Sequence, residues 1–309
     1  MILSVSRRTD IPAFYSDWFF NRIKEGFVYV RNPMNIHQIS KINIAPDIVD
    51  CIVFWTNNPE NMICRLNELK DYNFYFQFTI NPYNQFLEVE VPKKERIINL
   101  FKKLSDNIGC NKVIWRYDPI LFTNEIDTNY HIKYFEEIAK RLKQYTNRCV
   151  ISFIDNYKKT GNNLKNTHAR ELSEHEMVSL AKKLVEIADS YNIEILSCAE
   201  KIDLEELGVH HSRCIDDRII EQITRYKLDV QKDKNQRQEC GCIESIDIGE
   251  YNTCSHNCLY CYANINKDVV LKKRKKHNPQ SPLLIGEIDL NKDIVKERCV
   301  KLLRKDSLF

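Results

Sequence analysis

The chain carries little that would mark it for a membrane, a secretory route or a nucleic-acid surface. Its charge is close to balance, with Lys+Arg 46 against Asp+Glu 43. A dedicated nucleic-acid binder usually has a strongly basic domain, so nucleic acid is not an expected partner. Ahead of Arg7-Arg8 stands only Met-Ile-Leu-Ser-Val-Ser, too short for a signal peptide or a membrane span. No repeat and no long low-complexity segment occurs. The eight histidines show no metal-binding spacing, and His210-His211 reads as a surface pair on a helix. Glycine is scarce at 7 residues while Asn, Lys and Ile abound, which reflects codon supply rather than chemistry. Cysteine, by contrast, occurs twelve times. Without a secretory signal, that number places the chain in a reducing, cytoplasmic compartment, where thiols bind metals.

Apolar runs at 2–6, 27–30, 50–55, 73–80, 112–115, 149–153, 193–197 and 246–248 read as strands. Helical patterns fall at 17–24, 60–70, 92–105, 130–144 and 174–191, with shorter helical pieces over 204–227. Ser16 is a plausible N-cap, and Ser173-Glu-His-Glu176 has capping-box spacing. Strands that are mostly apolar and alternate with helices imply an α/β chain, a parallel sheet with helices outside it. Eight such strands suggest a (β/α)8 TIM-like barrel, or an open or partial version of one. Residues 1–264 would form the barrel. Residues 265–309, with a helical pattern at 291–304, would be an extension packed on its outside.

One stretch stands apart: Cys254-Ser-His-Asn-Cys258-Leu-Tyr-Cys261. Thiolates are the preferred ligands of iron–sulfur clusters. Three close thiolates hold three irons of a four-iron cluster and leave the fourth open to something that is not protein. The alternative is a structural zinc site completed by His256, Cys240 or Cys242, but zinc usually takes two separated ligand pairs. Three cysteines and an aromatic within eight residues favour the cluster.

This C-x3-C-x2-C pattern, with Tyr260 before the last cysteine, resembles the cluster signature of the radical S-adenosylmethionine (SAM) superfamily. Its place near the C-terminus is unusual there. Together with Ser-Arg-Arg-Thr-Asp-Ile-Pro at 6–12, Phe-Trp-Thr-Asn-Asn-Pro at 54–59, Trp-Arg-Tyr-Asp-Pro at 115–119 and Cys240-Gly-Cys242, it resembles an atypical radical SAM group. That group was long catalogued as a domain of unknown function, and its characterised branch is queuine lyase. The resemblance runs from about residue 2 to residue 264. It implies a [4Fe-4S] cluster on Cys254, Cys258 and Cys261, with SAM on the open iron, Tyr260 by the adenine, and a flavodoxin or ferredoxin as electron donor. It also implies a lyase that cleaves queuine, a 7-deazaguanine base, to 7-aminomethyl-7-deazaguanine. Another radical SAM substrate such as a nucleic-acid lesion, or a zinc-binding nucleic-acid module, are the alternatives.

In the superfamily the cluster loop follows strand one and the methionine-binding segment follows strand two. Here the cluster loop follows the last strand, whose neighbour around a closed barrel is the first. Ser6, Arg8 and Asp10 are therefore expected at the methionine end of SAM, followed by Arg31 and Asn32, then Thr56, Asn57 and Asn58 along the ribose and carboxylate. Arg116, Asp118, Asp155 and Glu200 fall at later strand ends and are the substrate candidates. A carboxylate can accept paired hydrogen bonds from an amino-pyrimidinone edge. Each could instead belong to a buried ion network. Residues 158–161 could form a lid turn. Cys240 and Cys242 are read as packing near the cluster, with a hydrogen-atom donor or a cap on a second metal as alternatives. Cys198 and Cys214, like the other scattered cysteines, are read as buried apolar thiols.

Overall fold

A computed structural model of the chain describes residues 1–154 and 163–305. Asp155 and the possible lid at 158–161 lie outside the described residues. The strands are β1 (Ile2–Val5), β2 (Phe27–Asn32), β3 (Asn35–Asn43), β4 (Cys51–Thr56), β5 (Phe74–Thr79), β6 (Val113–Ile120), β7 (Arg148–Phe153), β8 (Glu194–Ser197), β9 (His210–His211), β10 (Ile246–Asp247) and β11 (Ile294–Glu297). Eight of them form one parallel sheet in the order β10-β1-β4-β5-β6-β7-β8-β9. The last strand of this set therefore pairs with the first, Leu3 opposite Ile246 and Ser4 opposite Asp247. Edges β9 and β10 are not paired with each other, so the architecture is a mixed α/β one built on an eight-stranded parallel sheet.

The alternation of each strand sends its side chains to two cores. Leu3, Phe54, Phe76, Trp115 and Ile151 face the helices. There Phe54 stacks on Phe76 at 4.6 Å and Trp115 on Phe135 at 4.8 Å. The opposite face carries Ile2, Val53, Tyr75, Ile114, Val150 and Leu196, and Cys214, Ile215, Ile219 and Ile220 pack on it. Tyr75 Oη and Gln77 Nε2 both donate to the Cys214 carbonyl at 2.8 Å. The stretch between the two sheet edges thus fills the inner face of the sheet.

Helices follow from local signals. In the helix Lys94–Ile108, Ile97, Ile98, Phe101 and Leu104 make the buried stripe. Asp127 caps the helix Thr128–Leu142 by accepting from the Tyr130 N–H at 2.8 Å. The capping box forms at the head of the helix Glu174–Asp189, with Ser173 and Glu176 exchanging hydrogen bonds. Ser16 is not a cap. It is the first residue of the helix Ser16–Glu25, and its hydroxyl donates to the Pro12 carbonyl at 2.7 Å.

Three further expectations are corrected. The strand expected at 27–30 forms, but it lies in a separate sheet, β11-β3-β2, and pairs antiparallel with β3. The stretch 291–304 is not a helix; it holds β11, which pairs parallel with β3. Its apolar residues Ile294 and Val295 alternate poorly with polar ones and remain exposed. His210-His211 is exposed as expected, but on β9 rather than on a helix. Among the described residues no helix is long and apolar enough to cross a membrane.

His131 lies in the outer core, with Nδ1 against Tyr117 Oη at 2.8 Å and Nε2 against the Leu121 carbonyl at 3.0 Å. Burial pushes its pKa down to about 4. The unfolded chain takes up this proton near pH 6.5, the folded chain only near 4. Stability should therefore fall as pH drops from about 6.5 to 4, by about 3 kcal/mol from this group. Urea unfolding at pH 7 and pH 4 should show that much extra loss in the native chain relative to His131→Gln. Equal losses in the two would remove His131 as the cause.

Candidate functional site

The C-terminal ends of the parallel strands open into a cavity of about 960 Å³. Ser6, Arg8 and Asp10 line it after β1, Thr56 and Asn57 after β4, Arg116 and Asp118 on β6, and Ser152 on β7. The loop after β10 brings Cys254, Cys258, Tyr260 and Cys261 to the same cavity. Arg31 and Asn32 reach it from the small sheet, but their side chains are engaged at its rim. Arg31 donates to the carbonyls of Ile36 at 2.7 Å and Glu287 at 2.6 Å, and Asn32 to Gln38 at 2.9 Å. Glu200 is not among the lining residues; its Oε1 accepts from the Phe153 N–H at 2.8 Å.

The cysteine loop is clamped from two sides. Glu88 bridges Cys258, the Leu259 N–H donates to the Leu87 carbonyl at 2.9 Å, and the Glu90 N–H donates to the His256 carbonyl at 2.9 Å. Across the loop, Tyr15 Oη donates to the Thr253 carbonyl at 2.7 Å. Tyr260 packs edge-on to Tyr83, donates its hydroxyl to Glu88 and accepts from Asn81 at 3.1 Å. Asn252 and Asn257 take left-handed backbone, at φ 62° and 52°, a conformation asparagine tolerates. Burial raises the thiol pKa of Cys254, Cys258 and Cys261; for Cys258 the Glu88 carboxylate adds to this. Thiolates here are costly without a cation beside them. Among the described residues, no group of three or more His, Cys, Asp or Glu side chains is pre-arranged around a metal ion. What the loop supplies is the donor type: three thiols on one short, clamped segment.

Asp10 is a junction. It is 4% exposed. Its Oδ1 accepts from the Ala13 N–H at 2.9 Å, capping the helix Ile11–Phe14. Its Oδ2 accepts from the Asn57 N–H at 2.7 Å and meets His256 Nε2 at 2.8 Å. One carboxylate thereby holds together the loops after β1 and β4 and the cysteine loop. Arg8 lies closer to the mouth, over the Tyr251 ring at 5.2 Å, with Nη1 3.5 Å from the Gly249 carbonyl.

Sequence reasoning missed Asp247 and Gly249. Asp247 accepts from Ser4 Oγ at 3.0 Å, Ser6 Oγ at 2.6 Å, the Arg7 N–H at 2.8 Å and the Gly249 N–H at 2.9 Å. A Cβ on Gly249 would fall 2.0 Å from Ser6 Oγ. The available signal was an acid and a glycine at the end of the last strand, immediately before the motif.

Deeper in the cavity, Arg116 pairs with Asp118 through Nε at 3.0 Å and through Nη2, and its Nη1 donates to Cys214 Sγ at 2.9 Å. Its guanidinium lies 5.3 Å from the Trp55 ring centroid. Asp118 also accepts from Ser152 Oγ. Cys198 and Cys214, expected to be scattered thiols, lie together with Sγ atoms 2.8 Å apart, beside Cys242 and Cys240.

Two substitutions test this geometry. Asp10→Ala removes a helix cap and unpairs His256 and the Asn57 N–H, so it should cost about 3 kcal/mol or more in urea unfolding. A loss below about 1 kcal/mol would deny Asp10 its junction role. Gly249→Ala should cost about 1–3 kcal/mol by overpacking. Ser6→Gly made in that background should restore part of it, and strict additivity in the double-mutant cycle would refute the contact.

A family model described as "Domain of unknown function (DUF1848)" matches residues 2–263, a span that starts at β1 and ends just past Cys261. No curated protein shows a significant match. With nearly the whole chain matched, from the first strand through the cysteine loop, this protein belongs to the DUF1848 family.

Proposed function

We propose that the chain is a radical SAM lyase that cleaves queuine, releasing 7-aminomethyl-7-deazaguanine. The observation that carries this reading is the opening of Cys254, Cys258 and Cys261, on one clamped loop, into the same cavity as the polar strand ends. Their thiols fit the donor set of a site-differentiated four-iron cluster. Such a cluster, when bound with SAM, supplies a 5′-deoxyadenosyl radical for hydrogen-atom abstraction from the cyclopentenediol of the substrate. At about 960 Å³ the cavity is at the upper end of ordinary ligand pockets, with room for a nucleoside and a base side by side.

The remaining residues bind and orient. Arg8, at the mouth and held by a long ion pair with Asp247 at 3.9 Å, offers a guanidinium to the methionine carboxylate. Asp10 holds the loops after β1 and β4 in place around that end of the ligand rather than spending its own oxygens on it. Thr56 and Asn57 border the ribose, whereas Asn58, expected beside them, is not among the lining residues and accepts from the Glu60 N–H at 3.2 Å. Asp118, fixed by two Arg116 contacts, keeps the oxygen that Ser152 now touches for the amino-pyrimidinone edge of the base. The Ser152 hydroxyl can rotate to accept instead. Tyr260, held by Glu88 and Asn81, presents its ring at the cavity wall, where an adenine would lie.

The test is anaerobic protein with dithionite, or with a flavodoxin or ferredoxin, given SAM and queuine. Mass spectrometry should find 5′-deoxyadenosine and the released base. Cys254→Ala, Cys258→Ala and Cys261→Ala should each abolish both products. Asp118→Asn should raise the KM for queuine by about ten- to a hundredfold while leaving SAM binding intact. Deoxyadenosine formed equally with and without queuine, and no released base, would defeat the queuine reading. Unchanged iron and sulfide in all three cysteine variants would defeat the radical SAM reading too.

A further inference from the structure

We propose that Cys198, Cys214, Cys240 and Cys242 form a second metal site, a tetrathiolate for one thiophilic divalent ion such as zinc. These four are separate from the cysteine loop and come from three places in the chain. Cys198 follows β8, Cys214 follows β9, and Cys240-Gly-Cys242 leads into β10. Their sulfurs run in a chain of contacts. Cys198 Sγ lies 2.8 Å from Cys214 Sγ, and the Cys242 side chain is in hydrogen-bond contact with both Cys214 and Cys240.

Neither packing nor a disulfide accounts for this arrangement. A disulfide joins two sulfurs at about 2.05 Å, whereas Cys214 and Cys242 each touch two other sulfurs. Nor does it suit an iron–sulfur cubane, which holds its cysteines apart at separate corners. Cys198 and Cys214 are in direct contact, with Cys242 and Cys240 next to them, as around a single ion. They are not yet gathered around one point. Tetrahedral bonds of about 2.3 Å place ligand sulfurs about 3.8 Å apart, so the Cys198–Cys214 contact must open by about 1 Å.

Charge and hydrogen bonding agree with anionic sulfur. Four thiols that give up their protons to a divalent ion leave a net charge of −2. Two guanidiniums face it. Arg116 Nη1 donates to Cys214 Sγ at 2.9 Å, and Arg7 is close enough to act electrostatically on Cys214 and Cys242. The Ile215 N–H donates to Cys242 Sγ at 3.4 Å. The position gives the ion a structural task, because Cys198 and Cys214 follow β8 and β9 while Cys240 and Cys242 lie a few residues ahead of β10.

The test is independent of the loop cysteines. The full chain with Cys254→Ala, Cys258→Ala and Cys261→Ala combined, purified anaerobically, should retain about one zinc or sulfide-free iron per chain by elemental analysis. Adding Cys214→Ser or Cys240→Ser should lower that more than about tenfold. Because the added serine variants can fail to fold, the triple loop variant stripped of metal should also be titrated with cobalt(II). It should develop the intense visible bands of a tetrahedral cobalt thiolate, which zinc then bleaches. A triple variant that purifies without metal and gives no thiolate bands with cobalt would overturn the site. So would a Cys198–Cys214 disulfide in the peptide map, or sulfide in step with the retained iron.

Discussion

A half-buried carboxylate that accepts four hydrogen bonds sits where the end of the sheet meets its beginning. Asp247 accepts hydrogen bonds from Ser4, Ser6, Arg7 and Gly249, so the end of β10 and the end of β1 cannot shift relative to one another without unpairing this acceptor. Asp10 continues the same logic one loop further, joining the turn after β1 to the turn after β4 and to His256 of the cysteine loop. The three thiols are thus positioned by acids outside their own motif, one of which, Asp10, also reaches Cys254 through its backbone N–H. A loop that must offer three soft donors to one cavity has few residues left to fold itself with, and its order is supplied from outside.

Much of the sheet was legible, because a parallel strand buried on both faces is a short apolar run bounded by polar residues. The runs at 50–55, 73–80, 112–115 and 149–153 became β4 to β7 with boundary changes of a few residues. The strand at 27–30 was visible as a strand but not as a member of another sheet. Its apolar residues are spaced like those of its neighbours, and only pairing partners distant in sequence decide which sheet it joins. The 291–304 helix failed for a related reason: a helical pattern with no apolar face buried gives way to the strand pairing offered by Ser40 and Lys41.

At the site, the cysteine motif and the polar strand ends were readable as residues. Their partners were not. Nothing local to Asp10 shows that its oxygens are spent on Ala13, Asn57 and His256, the last 246 positions away. The same holds for Arg116 and Asp118, whose mutual pairing matches the ion-network alternative while leaving them in the cavity wall. Cys198 and Cys214 looked scattered, and Cys240-Gly-Cys242 read as packing near the cluster, because the proximity of the four is created by the stretch that fills the inner face between β9 and β10.

The pairing of β10 with β1 also has a consequence for how the chain is made. A ribosome delivers Ile2–Val5 first and Ile246–Asp247 only after most of the protein has emerged. Through that interval β1 can pair with β4 on one side, while its other backbone edge waits for a partner nearly the whole chain away. An unpaired apolar edge is a template for intermolecular pairing. The step that covers this edge therefore comes late in synthesis and, in the same stroke, delivers the three cysteines to the cavity.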